Sequence, residues 1–174
     1  VWEDLRLLTA KPRIIVLNAG EEDPTGASSE ACRRVAGRFG EGAVFVVSAK
    51  LEREIAALPP GERGVFIEEL GVGAGARERF ILKCHDTLGL VRYYTAANDK
   101  LQAWSVPRGT TAPRAAGKIH TDMESGFIRA KVMSFEDLVA CGSEAAVRTH
   151  GHLRTEGHEY VVKDGDVIEY LFNR

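Results

Sequence analysis

The sequence predicts three parts: the edge of an α/β domain at residues 1–50, a helical connector at 51–88, and an α+β unit of β-grasp (ubiquitin-like) type at 89–174. Two short apolar runs flank a helical segment before residue 50, and helical spacing then continues to about residue 88. After Gly89 the pattern changes to short β-type runs around one short helix, which is typical of an α+β unit.

The composition is that of a globular protein without a strong overall charge. The 174 residues are 44% hydrophobic and 28% charged, and the net charge is −2. Cys32, Cys84 and Cys141 are far apart and form no CxxC pair, which argues against a disulfide framework or a zinc site. No apolar run approaches the ~18 residues of a membrane span. We therefore expect reduced thiols, no membrane partner, and a location in the cytoplasm or an organelle interior.

The first part reads as strand, helix, strand. Residues 13–18 contain an apolar run that is typical of a strand buried on both faces, and residues 43–47 contain a second. Between them, Ala31, Val35 and Phe39 have helical spacing after the candidate N-caps Ser28 and Ser29. A strand–helix–strand unit predicts two parallel strands, and we interpret them as the edge of a larger sheet.

The second part is predicted to be helical. Leu51, Ile55 and Leu58 form one apolar stripe, which ends at Pro59 and Pro60. A second helix covers residues 65–70, and Phe80, Ile81, Cys84 and Leu88 form a third apolar stripe. The glycine-rich run at 71–76 fits G-x-G-x-x-A but follows a helix instead of a strand, which favours a helix–helix connection over a dinucleotide site.

The third part is predicted to contain two hairpins and two helical segments. Asp164-Gly165 is a strong turn signal for the second hairpin. The predicted elements are strands at 91–96 and 101–106 around a turn at 97–100, a helix at 112–122, a strand at 127–134, a helical turn at 135–141, and strands at 160–162 and 167–172.

Two loops of the first part resemble the base-recognition loops of P-loop GTPases. Asn18-Ala19-Gly20-Glu21 follows the first strand, and Ser48-Ala49-Lys50 follows the second. In GTPases of this type an Asp at the place of Glu21 accepts two hydrogen bonds from guanine, and adenine lacks those donors. An N-x-x-E pattern alone more often reflects a turn Asn and a surface Glu, and it gains value from the strand before it and the Ser-Ala-Lys loop one unit later.

The third part carries the more specific resemblance. Its runs include Ala112-Pro-Arg-Ala-Ala-Gly117, Ile119-His-Thr-Asp122, Gly126-Phe-Ile-Arg-Ala130 and Tyr160-Val-Val-Lys-Asp-Gly-Asp166. Together with N-x-x-E they resemble the C-terminal part of the YchF family of Obg-like ATPases, from about Lys11 to Asn173. The resemblance implies a partial P-loop GTPase-like domain, followed by the connector and a TGS domain.

The resemblance also implies a function for the complete protein: binding and hydrolysis of ATP with Mg²⁺, coupled to the ribosome, rRNA or translation factors. The phosphate-binding loop would lie before Val1, and a first residue other than Met suggests a fragment or a processed product. This chain would supply base recognition by Asn18, Ala19, Glu21 and Ser48. We expect no catalytic residue in it, and no tight nucleotide binding by it alone.

Basic residues interspersed with aromatic ones suggest that the TGS part contacts RNA or a protein partner. A solvated charged face is the other interpretation, and His120 beside a helix end is more typical of a capping or packing residue. The candidates are Arg108, Arg114, Lys118, His120 and Arg129. His150, His152 and His158 fit no standard zinc spacing. A TGS adaptor that binds rRNA or a protein, with no catalytic role, is the alternative function.

Overall fold

The computed structural model describes residues 7–71, 75–97 and 100–173. It divides into two compact units, Val1–Leu88 (unit 1) and Gly89–Arg174 (unit 2). Three features of the sequence lie partly or wholly outside the described residues: the start at Val1, the glycine-rich run at 71–76 and the predicted turn at 97–100.

Unit 1 begins with the predicted strand–helix–strand arrangement. Strand β1 is Ile15–Asn18, helix α1 is Glu30–Phe39 and strand β2 is Val44–Val47. The strands pair in parallel with Ile15 opposite Val44, which confirms the predicted orientation. Ser29 caps α1, since its hydroxyl accepts a hydrogen bond from the Cys32 N–H.

The predicted burial of β1 on both faces is wrong for the described residues. Val16 is 51% exposed, because the two described strands of unit 1 form too small a sheet to be covered on both faces. The burial of α1 also differs from the prediction that Ala31, Val35 and Phe39 share one apolar face. Val35 is partly buried, but Ala31 and Phe39 are exposed.

Three helices follow, as predicted. They are α2 at Ala49–Ala57, α3 at Pro60–Glu69 and α4 at Ala76–Thr87. Leu51 and Ile55 are buried, and Pro60 stands in the first turn of α3, where its missing N–H costs nothing. The predicted stripe on α4 is largely wrong. Phe80 meets the Phe45 ring edge-on at 5.2 Å, but Ile81 is exposed.

Unit 2 is built on a five-stranded mixed sheet with the order β4-β3-β7-β5-β6. Strand β7 is the middle strand, and it pairs in parallel with β3 and antiparallel with β5. The elements are β3 Leu90–Ala97, β4 Lys100–Pro107, α5 Ala112–Ile119, α6 Thr121–Ser125, β5 Phe127–Ser134, α7 Phe135–Cys141, α8 Glu144–Thr149, β6 Arg154–Glu156 and β7 Asp166–Phe172.

Helix α5 packs into the main core of unit 2 through small side chains. Ala112, Ala115 and Ala116 are fully buried, so the helix backbone can approach the sheet closely. Tyr93 of β3 is also fully buried, and its hydroxyl donates to the Ala115 carbonyl at 2.8 Å. A second, smaller core contains Val147 of α8.

Two predicted elements of unit 2 are wrong. The helix at 112–122 is interrupted at His120, which has extended backbone angles (φ −159°, ψ 141°) and caps α6. Residues 160–162 and β7 do not form a hairpin, because Val161 bridges to Thr111 while β7 pairs with β3 and β5. The turn itself is present, with Gly165 at φ +84°. Helix α8 and strand β6 were not predicted.

We expect Gly126→Ala to destabilise unit 2 by about 2–4 kcal/mol. A Cβ at Gly126 would overlap the Asn173 carbonyl oxygen, which is backbone and cannot rotate away. The matched control is Gly157→Ala, since a Cβ there meets nothing within 4 Å and Gly157 has no positive φ. Urea unfolding followed by Trp104 fluorescence in a Trp2→Phe background measures both. Equal midpoints for the two variants would contradict the prediction.

Candidate nucleotide-base and partner-binding surfaces

The loops after β1 and β2 are joined to each other by hydrogen bonds. The Asn18 side-chain oxygen Oδ1 accepts the Ala49 N–H at 3.0 Å, and the Ala19 N–H donates to the Val47 carbonyl at 2.8 Å. Both loops lie at the carboxyl ends of parallel strands, which is where open α/β sheets bind ligands. No hydrogen bond from the Asn18 amide nitrogen Nδ2 is found among the described residues.

An ion pair also joins the two loops. Lys50 Nζ lies 2.7 Å from Glu21 Oε2, and the two side chains are 60% and 39% exposed. The hydrogen bond and the charge of Glu21 raise the pKa of Lys50. Lys50 belongs to the Ser-Ala-Lys run, but the sequence assigns it no role, because only the fold shows that it reaches Glu21.

Ser48 has a buried hydroxyl without a protein partner. Ser48 is 4% exposed, and among the described residues its Oγ has no hydrogen-bond partner. Ser48 occupies the N-cap position of α2, but its side chain does not cap the helix. A buried hydroxyl left unpaired costs about 1–3 kcal/mol, so a ligand that pairs with it would recover that cost.

Asp23 organises the loop between β1 and α1. Its carboxylate accepts hydrogen bonds from the Ala27 N–H at 3.0 Å, and from the Ser28 N–H at 3.0 Å and hydroxyl at 2.6 Å. The Ser28 hydroxyl is the main cause of a lowered pKa of Asp23. Gly26 lies in the same loop at φ +69°, where a Cβ would meet Cys32 Sγ. The signal in the sequence is the turn-forming run Asp23-Pro-Thr-Gly26, which sequence reasoning did not use.

A cavity of about 390 Å³ lies between this loop and the start of α1. Asn18 and Ala19 line it, whereas Glu21 and Ser48 do not. Of the four predicted base-binding residues, Asn18, Ala19 and Glu21 all make contacts that join the two loops. Ser48 is buried directly after β2.

The predicted basic residues of unit 2 do not share one surface. Arg114 and Lys118 are exposed one helical turn apart on α5, and Arg108 is exposed after β4. Arg129 precedes Ala130, which belongs to the core beneath α5, so the Arg129 side chain lies on the opposite face of the sheet. No ion pair within 4 Å involves these four basic side chains in the part of the chain that the structure describes.

His120 and Trp104 have structural contacts. His120 Nδ1 accepts the Asp122 N–H at 3.2 Å, which is the capping role expected for a histidine at a helix end. Trp104 is partly buried against the main core of unit 2, and its Nε1–H donates to Thr95 Oγ1 at 3.0 Å.

The described residues contain no group of three or more His, Cys, Asp or Glu side chains that could hold a metal ion. His152 instead pairs with Asp137, with Nδ1 and Oδ1 2.8 Å apart. A search of the same residues for a helix long and apolar enough to cross a membrane finds none.

The comparisons with known proteins agree on one family. The family model YchF-GTPase_C, described as a protein of unknown function (DUF933), matches residues 90–173. The ribosome-binding ATPase YchF of Bacillus subtilis is 42% identical over 174 residues, which are 98% of this chain and 48% of that protein. The chain belongs to the YchF family. Obg-like ATPase 1 of Oryza sativa subsp. japonica is 37% identical over 176 residues, covering 99% of this chain and 44% of that protein.

Two solved structures match the chain over most of its length. The Schizosaccharomyces pombe YchF GTPase matches with a TM-score of 0.82 and 29% identity, over 98% of this chain and 46% of that chain. A GTP-binding protein from Pyrococcus horikoshii OT3 shares the fold at a TM-score of 0.57, with 94% of this chain and 46% of that chain covered at 21% identity. The chain therefore spans about half the length of the YchF relatives that it matches.

We expect Ser28→Ala to raise the titration midpoint of Asp23. The folded-state pKa of Asp23 is lowered, so its contribution to the stability of the loop is present above the unfolded-state pKa and is lost as the pH falls through the folded-state pKa. Removing the Ser28 hydroxyl removes the main cause of that lowering. NMR shifts of the Ala27 amide against pH measure the midpoint. Thr25→Ala is the comparison, since the Thr25 hydroxyl contributes least to the lowering. A midpoint that Ser28→Ala raises no more than Thr25→Ala does would show that Ser28 does not control this carboxylate.

Proposed function

We propose that this chain supplies the base-selecting part of an ATP site in a longer YchF-family ATPase, and that its unit 2 is a TGS domain that acts at the ribosome. The observation that carries the first part is the joining of the two loops by the Asn18–Ala49 hydrogen bond and the Glu21–Lys50 ion pair. The names of the relatives, ribosome-binding ATPase, support the second part.

Glu21 favours adenine over guanine on chemical grounds. Lys50 occupies Oε2 of Glu21, which leaves Oε1 to accept a hydrogen bond from the exocyclic amino group of adenine. Guanine has a carbonyl oxygen at the corresponding ring position, and that oxygen would be repelled by the carboxylate. Lys50 thus acts as a positioning residue, because its ion pair fixes one oxygen of the Glu21 carboxylate.

Asn18, Ala19 and Ser48 complete the proposed contacts. The Asn18 Oδ1 is used by Ala49, so its Nδ2 is the group that can donate to a ring nitrogen of the base. Ala19 contributes backbone, since its methyl group carries no polar atom. The Ser48 hydroxyl is buried and unpaired among the described residues, so in this proposal the loop after β2 must move to bring it to the base edge.

Hydrolysis requires a phosphate cradle, Mg²⁺ and a positioned water. Within the described residues no carboxylate cluster is suited to Mg²⁺. In our proposal the part of the protein outside this chain provides these groups, and the chain alone binds ATP weakly and does not hydrolyse it. The helices at residues 51–88 would connect the nucleotide domain at 1–50 to the TGS domain at 89–174.

The arrangement of unit 2 supports a β-grasp TGS domain. Helix α5 packs on one face of a mixed sheet whose middle strand β7 pairs in parallel with β3. The exposed pair Arg114 and Lys118 favours contact with RNA phosphates on this side. The same pair also supports the alternative, a TGS adaptor without a catalytic role. The coding sequence upstream of Val1 distinguishes the two, because the enzyme requires G-x-x-x-x-G-K-[ST] there.

We expect Glu21→Gln to lower the preference for adenosine over guanosine by about tenfold, because a charge-assisted hydrogen bond is lost and the amide can donate to guanine. NMR titrations of the chain with each nucleoside, followed at the Ala19 amide, measure the two affinities. Glu41→Gln is the control, since Glu41 is exposed and lies outside both loops. A preference that survives Glu21→Gln unchanged would exclude Glu21 as the selecting residue.

We expect Arg114→Ala/Lys118→Ala to weaken binding of single-stranded RNA. Losing two phosphate contacts should reduce the slope of log affinity against log salt by roughly 1.4. The matched control is Arg33→Ala/Arg34→Ala, which removes the same charge from exposed positions on α1. Fluorescence anisotropy with polyuridine at several salt concentrations measures both. If the two double variants lose the same affinity, binding follows net charge and not the α5 surface.

A further inference from the structure

Helix α7 is apolar on both its inner and its outer side. Leu138 and Cys141 face inward and pack against the smaller core of unit 2. On the outer side Phe135 and Val139, one helical turn apart, are 49% and 64% exposed. A surface helix normally carries polar residues opposite its buried stripe, so an apolar outer side is typical of a helix that is covered by another surface.

The outer side of α7 is held firmly in place. The Phe135 N–H donates to the Gly165 carbonyl at 2.8 Å, and the Ser134 hydroxyl caps the helix by accepting the Asp137 N–H at 3.0 Å. The helix ends at Gly142 in the left-handed conformation, with φ +76°. The Phe135 ring rests against the Tyr94 ring at 5.8 Å between centroids. Because this surface is already ordered, binding of a partner here would cost little conformational entropy.

A cavity of about 210 Å³ opens beside the Phe135 ring, and Tyr94, Glu136 and Asp164 are among its lining residues. Most of its lining side chains are polar or charged, so it is suited to the charged end of a partner's side chain. Arg92 also lines it, but the Arg92 guanidinium lies 3.1 Å from the Asp164 carboxylate, so the two charges offset each other. Glu136 is exposed at the rim.

The charge on and after α7 is negative. Residues 135–144 contain Glu136, Asp137 and Glu144 but no Lys or Arg. Asp137 is hydrogen-bonded by Ser134 and His152, so Glu136 is the acid that faces outward beside the apolar pair. These carboxylates would repel the phosphates of RNA. They would attract the Lys and Arg side chains of a basic protein.

We propose that the outer side of α7 is a docking surface for a basic, amphipathic protein segment. In this complex apolar side chains of the partner cover Phe135 and Val139, and the charged end of a Lys or Arg enters the cavity beside Phe135 and faces Glu136. The surface belongs to unit 2 alone and uses neither the base-binding loops nor Arg114 and Lys118. Its test is therefore independent of the proposed nucleotide and RNA contacts.

The experiment titrates the ¹⁵N-labelled 174-residue chain with three probes: a synthetic amphipathic helical peptide of Leu and Lys, the same peptide with Glu in place of Lys, and polyuridine. We expect the Leu/Lys peptide to shift the amides of α7 and Gly165. We expect no α7 shifts from the Leu/Glu peptide or from polyuridine.

Two pairs of variants test the two parts of the surface. Val139→Ser should lower the affinity for the Leu/Lys peptide about tenfold. Leu101→Ser, at a residue 72% exposed on β4, should leave that affinity unchanged. Glu136→Lys should also lower the affinity for the Leu/Lys peptide and should allow the Leu/Glu peptide to bind. Glu159→Lys, at another exposed position, should change neither affinity. Because all four positions are exposed, each variant should keep the wild-type spectrum away from its own site.

Three outcomes would overturn the proposal. The first is that the Leu/Lys peptide leaves the α7 amides unshifted at the highest soluble concentration. The second is equal weakening by Val139→Ser and Leu101→Ser, which would mean non-specific adhesion. The third is a shift of the α7 amides by polyuridine, which would make this side a nucleic-acid surface.

Discussion

Strand β7 is the element on which unit 2 depends, and the Asp166 carboxylate at its first residue fixes how it begins. Asp166 is 3% exposed, and its Oδ2 accepts the Tyr160 hydroxyl and the Lys163 N–H, each at 2.8 Å. Burial and this carboxylate raise the pKa of Tyr160, so the phenol remains a donor. A buried carboxylate is tolerated only when such donors satisfy it. With its start fixed, β7 can pair on both sides and bury Ile168 and Tyr170 under α5.

A different constraint, the parallel pairing of β1 and β2, organises unit 1. Parallel pairing places Asn18 opposite Val47, so the two loops leave the sheet side by side at the same edge. Short polar contacts can then connect them, and Asn18 and Lys50 make those contacts from opposite loops. A surface ion pair adds little stability by itself, so the Glu21–Lys50 pair is better understood as positioning a carboxylate than as holding the fold together.

The chain has different types of surface, and they suggest separate tasks. The loops of unit 1 present amide and carboxylate groups, the chemistry suited to a base edge. Helix α5 presents Arg114 and Lys118, and α7 presents Phe135 and Val139 beside an acid. The chain spans about half the length of the YchF relatives that it matches.

Much of the local structure could be predicted from the sequence, because local signals determine it. The apolar runs predicted β1 and β2, one of the two N-cap candidates, Ser29, caps α1, and the prolines at 59 and 60 separated α2 from α3. The strand predicted at 127–134 is β5. The family could also be predicted, since its motifs in unit 2 are contiguous in the chain. The stripe on α4 was wrong because helical spacing shows which residues share a face, but not whether a neighbour covers that face.

What the sequence by itself determined is most of the strands and helices and the residue types at their ends, but not α8, β6 or the break in the helix at His120. Only the tertiary structure decided the partners. Tyr160–Val162 and β7 satisfied every local rule for a hairpin, yet β7 gains more by pairing with two strands that are distant in the chain. Likewise, Lys50 became a partner of Glu21, and Arg129 was separated from Arg114 by the sheet. The physical reason is that backbone propensity acts over a few residues, whereas strand partners and shared surfaces depend on burial summed over the whole unit.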